Sequence, residues 1–115
     1  MNKKSLHPKL KPDDIDCIYQ ARQILCDRFK NPPSLLELAH EVSLNDYKLK
    51  IGFRHVFGTT AFGYLQQHRL EQAGQMLREQ NRSVSEVARA VGYASRSSFI
   101  RAFRKKFGVV PSQYI

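Results

Sequence analysis

The chain has 115 residues, 42% of them hydrophobic, and its 19 Lys and Arg residues outnumber its 10 Asp and Glu residues. This length allows one or two small cores and excludes a large enzyme scaffold. The net charge of +9 is typical of proteins that bind nucleic acid or another anionic surface.

Residues 1–12 form a basic N-terminal segment, which we interpret as a tether or the end of a linker. Its lysines are not followed by the apolar core of a signal peptide, and no stretch of the chain approaches the ~20 apolar residues that cross a bilayer. We therefore expect a soluble, cytoplasmic protein that does not bind a membrane.

The first predicted helix covers residues 13–29. Asp13 suits its N-cap, acidic residues occupy its first turn, where the helix dipole favours them, and the two prolines after Asn31 end it. Asp13, Asp14 and Asp16 could form a carboxylate cluster for metal or acid–base chemistry, but helix capping explains them more simply.

The chain then repeats itself after about fifty residues: SLLELAHEV at 34–42 matches SVSEVARAV at 83–91, and FRHVFG at 53–58 matches FRKKFG at 103–108. The first segment of each copy starts with Ser-x-x-Glu, the capping box in which the hydroxyl and the carboxylate accept hydrogen bonds from backbone amides. Apolar residues follow at i, i+3, i+4 and i+7, which predicts a short helix with one apolar face.

A tight turn and a second helix follow in both copies. In the second copy Gly92 suits a left-handed helix stop, and Ser95 can cap the new helix. Pro111 is placed to begin a last turn. The second helices carry apolar residues at i, i+4 and i+8 and end at a glycine; these residues are Leu49, Phe53, Phe57 and Gly58, and Phe99, Phe103, Phe107 and Gly108. Each copy is therefore a helix-turn-helix unit.

Between the two copies, a stretch without proline has helical apolar spacing, at Phe62, Leu65, Ala73 and Leu77. It predicts a continuous connecting helix, and about twenty residues give a rod of roughly 30 Å. No segment has the period of a strand. We therefore predict an all-α fold of about seven helices, with two helix-turn-helix subdomains (13–58 and 81–115) joined by a long connecting helix (59–80).

The second helix of such a unit enters the major groove of DNA, so its outer face is the candidate interface. Residues 87–115 contain six Arg or Lys and no acidic residue, which concentrates positive charge where phosphates would lie. Arg can bond two atoms of guanine and Ser several base edges. We predict base contacts from Arg96, Ser97 and Arg101, and phosphate contacts from Ser98, Arg104 and Lys105.

The outer face of the first copy is mixed in character. We predict a base contact from Ile51, against a thymine methyl, a sugar or phosphate contact from Tyr47, and phosphate contacts from Lys48 and Arg54. Gly52 inside this helix costs about 1 kcal/mol of helix stability. Close approach to a phosphate and a tolerated imperfection are two explanations for it.

Successive major-groove faces on one side of B-DNA are about 34 Å apart, close to the length of the predicted rod. We therefore expect one monomer to contact two adjacent major grooves and to bind double-stranded DNA sequence-specifically. The main alternative is a basic helical protein that binds nucleic acid, RNA included, without sequence preference.

Several segments resemble the DNA-binding domain of the AraC/XylS family of bacterial transcription regulators; they are RLEQAGQML at 69–77, VSEVARAVGY at 84–93 and FGVVPSQY at 107–114, with Phe99 and Phe103. The resemblance covers about residues 13–115. It implies two helix-turn-helix subdomains joined by a long helix, with base contacts from the early and middle parts of the two recognition helices. On this ground Tyr47 and Lys50 join the predicted base contacts. The segment 48–65 is similar to the branch that controls siderophore synthesis and uptake.

The resemblance also implies partners and a role. We expect promoter DNA and RNA polymerase as partners, activation of transcription, and a monomeric state for this domain alone. Most family members carry a separate effector-sensing or dimerising domain. The linker-like residues 1–12 favour a domain excised from such a regulator over a short stand-alone activator.

Other chemistries have weaker support. No nucleophile with a base, metal set or phosphate-binding glycine loop appears, so we expect no enzyme activity, no metal and no cofactor. Cys17 and Cys26 fall on opposite sides of a helix and cannot pair there. The histidines, His7, His40, His55 and His68, have no zinc-site spacing relative to the cysteines. A protein interaction module is a third possibility, to which Tyr19, Ile24 and Leu36 could contribute.

Overall fold

The computed structural model describes residues 9–79 and 82–114. This part of the chain contains seven α-helices and no strand: α1 Pro12–Asp27, α2 Leu35–Glu41, α3 Asp46–Phe57, α4 Ala61–Glu79, α5 Val84–Ala90, α6 Arg96–Phe107 and α7 Pro111–Tyr114. The prediction of an all-α fold with a continuous connecting helix is confirmed. None of the described helices is both long and apolar enough to cross a membrane. Most of the predicted tether, His7 and the last residue of the predicted connecting helix lie outside the described residues.

The start of α1 differs from the prediction. The helix begins at Pro12 and its N-cap is Lys11, not Asp13. Proline suits the first helical position because its φ is preset and its missing N–H has no helical partner there. Asp14 then falls three residues after the cap, where its carboxylate accepts a hydrogen bond of 2.9 Å from the Lys11 backbone N–H. The helix also ends earlier than predicted, at Asp27, with Arg28 as its C-cap.

The first helix of each copy begins with the predicted capping box. The Ser34 hydroxyl accepts from the Glu37 N–H at 3.1 Å, and the Glu37 carboxylate accepts from the Ser34 N–H at 2.9 Å. The same pair of bonds joins Ser83 and Glu86, at 3.1 and 2.8 Å. In this way two backbone N–H groups that have no partner within the helix gain an acceptor at the N-terminus of α2 and of α5.

The turn between the two helices has the same geometry in both copies despite different residues. Gly92 has φ of +97°, and Ser43 takes its place in the first copy with φ of +62°. Equivalent hydrogen bonds close the two turns, from Leu44 N–H to Ala39 C=O and from Tyr93 N–H to Ala88 C=O, both 2.9 Å. Ser43 therefore adopts a backbone conformation that glycine occupies more easily, and the turn that precedes α3 is preserved.

The described residues form two compact units, one from 9–28 with 32–65 and the other from 29–31 with 66–114. The core of the first unit includes Ile18, Ala21, Leu25, Leu38, Ala39, Val42, Leu49 and Phe53. The core of the second includes Leu70, Ala73, Leu77, Val87, Ala88, Val91, Phe99 and Phe103. The apolar faces predicted for the repeated helices are confirmed except at Leu35, whose surface is 39% exposed, and they supply half or more of the buried residues in each core.

Two further apolar side chains, Leu10 and Phe62, depart from their expected environments. Leu10 lies in the segment predicted to be a tether, yet only 5% of its surface is exposed. Phe62 belongs to the apolar spacing of the connecting helix, yet 64% of its surface is exposed. Phe62 lies in the first turn of α4, where Ala61 and Leu65 supply the buried face. A spacing pattern alone does not distinguish a core position from its neighbour at the margin of the apolar face.

Gly52 is required by helix packing, which replaces both explanations offered by the sequence. It is buried in α3, where a Cβ would lie 2.5 Å from Ile18 Cδ1 and 2.8 Å from Ile18 Cγ1. These distances are too short for real contacts, and Ile18 itself is fully buried in α1. The missing side chain therefore lets α3 pack closely on α1.

We expect Gly52→Ala to reduce the free energy of unfolding by about 1–2 kcal/mol, because overpacking outweighs the gain of about 1 kcal/mol in helix propensity. Denaturant unfolding would measure this. Gly74→Ala is the matched control, since a Cβ there would lie 3.4 Å from its nearest neighbours, the side chains of Phe107 and Tyr114. A Gly52→Ala variant at least as stable as Gly74→Ala would contradict the packing argument.

Candidate nucleic-acid interface

The recognition helix of the second unit, α6, presents a basic and polar surface opposite a buried aromatic face. Phe99 and Phe103 are fully buried, and the predicted contact residues on the other side are exposed: Arg96, Ser97, Ser98, Arg101, Arg104 and Lys105. The helix begins at Arg96 because the Ser95 hydroxyl accepts from the Ser98 N–H at 3.2 Å. Its last turn carries Arg104, Lys105 and Lys106, which favour the negative end of the helix dipole.

Four of the predicted residues of α6 line one shallow groove. Ser97, Arg101, Arg104 and Lys105 lie along it together with the apolar side chains of Ile100 and Val110. Arg96 is outside this groove, at the first position of the helix. Ser98 lines a separate cleft beside Gln66 and Gln67, and Lys105 borders both depressions. The arrangement gives a cationic surface with hydroxyl groups at its N-terminal end, which suits an anionic ligand with polar edges.

The recognition helix of the first unit, α3, is less uniformly exposed. Tyr47, with 52% of its surface exposed, Lys50 and Arg54 are open to solvent, whereas Ile51 is half-buried. Asn45 caps the helix by accepting from the Lys48 N–H at 2.7 Å. Lys50 and Arg54 line a groove, and the other predicted contacts of α3 are not part of its lining.

Lys48 is engaged within the protein. Its ammonium lies 3.0 Å from Asp14 Oδ2, and the two side chains are 30% and 13% exposed. The backbone amide of Lys11 and the hydrogen bond from Lys48 lower the pKa of Asp14, so that its carboxylate is ionised at neutral pH. A contact between Lys48 and a DNA phosphate would compete with this ion pair, whereas Lys50 and Arg54 have no such partner among the described residues.

The sequence did not reveal that Arg69 is buried and bonded within the protein, although Arg69 begins the RLEQAGQML segment. It is buried, and its Nε–H donates to the Phe29 carbonyl at 2.8 Å. Its guanidinium also covers Gly92, where a Cβ would lie 2.9 Å from one of its terminal nitrogens. Burial lowers the pKa of Arg69. Arg69 therefore packs against the turn that precedes α6 and leaves no room for a side chain at Gly92.

Tyr93 follows Gly92 in the same turn and packs its ring against Phe99, with centroids 5.4 Å apart. Its hydroxyl and the side-chain oxygen of Gln66 are buried without a hydrogen-bond partner among the described residues. Burial raises the pKa of Tyr93, so its hydroxyl stays protonated at neutral pH. Near the other end of α6, the Lys106 ammonium donates to Gln67 at 2.7 Å, and Lys106 lines the cleft beside Ser98.

The histidine, cysteine and acidic side chains of the described residues were the other candidates for site chemistry. Within 9–79 and 82–114, no three His, Cys, Asp or Glu side chains are grouped so that they could hold a metal ion. Cys17 and Cys26 are half-buried and not joined in a disulfide. Cys17 packs against the first core, and burial raises the pKa of its thiol.

Comparison with known proteins agrees with this geometry. A family model described as a helix-turn-helix domain matches residues 38–115. Regulatory protein PchR of Pseudomonas aeruginosa is 44% identical over 77 residues, 67% of this chain and 26% of PchR. The crystal structure of an AraC-type transcriptional regulator from Chromobacterium violaceum matches with a TM-score of 0.82 and 23% identity over 86% of this chain and 88% of that chain. The chain belongs to the AraC family.

This AraC-type domain corresponds to different fractions of the length of its relatives. It spans about a quarter of the length of PchR. Regulatory protein SoxS of Escherichia coli K12 is 31% identical over 88 residues, which are 76% of this chain and 82% of SoxS. The family model begins within α2, so the AraC-type signature covers α3 to α7, including both recognition helices.

Proposed function

We propose that this domain binds double-stranded DNA in a sequence-dependent manner through α3 and α6 and thereby regulates transcription. The observation that carries the proposal is the two-sided character of α6 in an AraC-type helix-turn-helix unit. Phe99 and Phe103 are fully buried on one side, and Arg96, Ser97 and Arg101 are exposed on the other. A helix of this kind offers side chains that bond base edges in a major groove.

Base contacts and phosphate contacts are assigned to different residues in this proposal. Arg96, Ser97 and Arg101 contact bases from α6, and Tyr47, Lys50 and Ile51 contact them from α3. Arg54, Ser98, Arg104 and Lys105 contact phosphates, and Lys48 does so only if it leaves Asp14, 3.0 Å from its ammonium. The exposure of these side chains supports the assignment, except for the half-buried Ile51 and Lys48.

The presence of two recognition helices in one chain supports a further element of the proposal. A single copy would contact two successive major grooves, so that no symmetric partner is needed to recognise a site of two elements. The domain alone is monomeric in this proposal, acts in the cytoplasm and contacts RNA polymerase as an activator, without enzyme activity. The siderophore-regulator branch stays a prediction.

Selection from a pool of random ~30-base-pair duplexes at ~150 mM salt, where nonspecific phosphate binding is suppressed, tests the proposal. We expect enrichment of an asymmetric site with two elements about one helical turn apart. Retention that only falls as salt rises, with no enriched sequence, would instead favour the alternative of a basic protein that binds nucleic acid without sequence preference. A matched pool of RNA duplexes serves as the control.

A further inference from the structure

One carboxylate oxygen joins the start of α1 to the recognition helix of the first unit. Asp14 Oδ2 accepts a hydrogen bond of 2.9 Å from the Lys11 backbone N–H, and the Lys48 ammonium lies 3.0 Å from the same oxygen. Lys11 is the N-cap of α1, and Lys48 lies in the first turn of α3. Asp14 therefore acts on two helices at once, because it completes the cap of α1 and neutralises a cation of α3.

Close packing between the two helices keeps this carboxylate beside Lys48. One turn further along α3, Gly52 lies against α1, where a Cβ would be 2.5 Å from Ile18 Cδ1 and 3.8 Å from Leu10 Cδ1. Ile18 is fully buried, and Leu10 is 5% exposed. The start of α1 therefore cannot move away from α3 without opening the packed core of the first unit.

We infer that Asp14 is a positioning residue that holds the Lys48 ammonium away from DNA, so that α3 binds with one cation fewer than its sequence carries. This inference rests on the proposed function. The ion pair forms within one unit, so no translational freedom is lost when it closes. The Asp14 side chain is 13% exposed, and salt screens such a charge less than a fully exposed one. A phosphate contact of Lys48 has to break this pair and itself weakens as salt rises.

Lys48 and Lys50 differ in this respect, although both lie near the start of α3. Lys50 is exposed and has no ion-pair partner among the described residues, whereas the side chain of Lys48 is 30% exposed. The stem of lysine is flexible, so a released Lys48 ammonium reaches phosphates at the edge of the groove that α3 enters. Because phosphate contacts carry no sequence information, Asp14 sets how tightly the domain binds any duplex and leaves the base preference unchanged.

Asp14→Asn tests this inference, because the amide oxygen still accepts from the Lys11 N–H and preserves the cap while the charge is lost. We expect the variant to bind a preferred and an unrelated duplex about 3- to 10-fold more tightly at ~150 mM salt. The slope of log K against log salt should steepen by about one.

Asp13→Asn is the matched control. Asp13 lies in the same first turn of α1, is exposed and forms no ion pair within the part of the chain that the structure describes. This substitution therefore changes the net charge equally but releases no cation, and the salt slope should stay the same. The inference is overturned if Asp14→Asn binds no more tightly than Asp13→Asn. Weaker binding than that of the unchanged protein also overturns it, because Asp14 would then direct Lys48 toward a phosphate.

Lys48→Gln identifies the cation that is responsible. Combined with Asp14→Asn, it should return both the affinity and the salt slope to the values of the unchanged protein, because no ammonium is left to reach a phosphate. A double variant that keeps the steeper slope of Asp14→Asn would show that another cation makes the new contact, which contradicts the role given to Lys48.

A measurement without DNA separates this inference from the proposed function. The Lys11 N–H and then the Lys48 ammonium lower the pKa of Asp14, so Lys48→Gln should raise that pKa in the free protein. Titration of the carboxyl group by NMR measures this, and an unchanged pKa would overturn the inference. If the unchanged protein binds duplexes without sequence preference, the proposed function fails, and the salt slopes still decide the role of Asp14. If neither the unchanged protein nor Asp14→Asn binds any duplex, both fail.

Discussion

Phe103→Ala is expected to lower the free energy of unfolding of the second unit by about 3–5 kcal/mol. Phe103 is fully buried, and its ring lies 4.4 Å from that of Phe107, 5.1 Å from that of Tyr114 and 5.6 Å from that of Phe99, measured between centroids. Removing it leaves a cavity among aromatic side chains that cannot easily close. Since a small domain is stable by only about 5–15 kcal/mol, much of its stability would be lost.

Thermal or denaturant unfolding, followed by circular dichroism, measures this effect. Phe62→Ala is the matched control, because the same atoms are removed from a side chain that is 64% exposed, and a change within about 0.5 kcal/mol is expected. Similar losses for the two variants would show that the aromatic cluster around Phe103 does not hold the second unit together.

The sequence predicted the fold well where local chemistry decides the structure. Capping boxes at Ser34 and Ser83 and the glycines at the ends of α3 and α6 act within a few residues, so their signals are complete in the sequence. The predicted start of α1 was wrong. Pro12 and Asp13 both suit a helix N-terminus, and only the hydrogen bond from the Lys11 N–H to the Asp14 carboxylate distinguishes them.

Features that depend on contacts between distant segments could not be predicted. The need for glycine at position 52 comes from the close contact with Ile18 in another helix. The burial of Arg69 comes with its hydrogen bond to the Phe29 carbonyl and its contact with the turn at Gly92. The ion pair of Lys48 with Asp14 is of the same kind. For the candidate site, the sequence identified the exposed face of α6, because the period of its apolar residues fixes the opposite face. It did not reveal the grooves, of which the one beside α3 needs residues from α2 and from the start of α4.

The largest effect expected on function is that of Arg101→Ala. Arg101 is exposed on α6 and lies in the same groove as Ser97 and Arg104. If its guanidinium bonds guanine O6 and N7, the variant should lose about 1–3 kcal/mol on the preferred duplex, roughly 5- to 150-fold in Kd, with relaxed preference at a single base pair. Competition binding against duplexes substituted at each position would measure both quantities.

Arg104→Ala is the control that separates recognition of bases from attraction to phosphates. It removes the same charge from the same helix, but from the residue assigned to the backbone. It should therefore weaken all duplexes nearly equally and lower the salt slope by about one. If Arg101→Ala behaved in the same way, α6 would bind phosphates without distinguishing bases, and any sequence preference would have to come from α3 or from the deformability of the DNA. The difference between these two arginines is therefore the sharpest distinction between a regulator and a nonspecific nucleic-acid-binding protein.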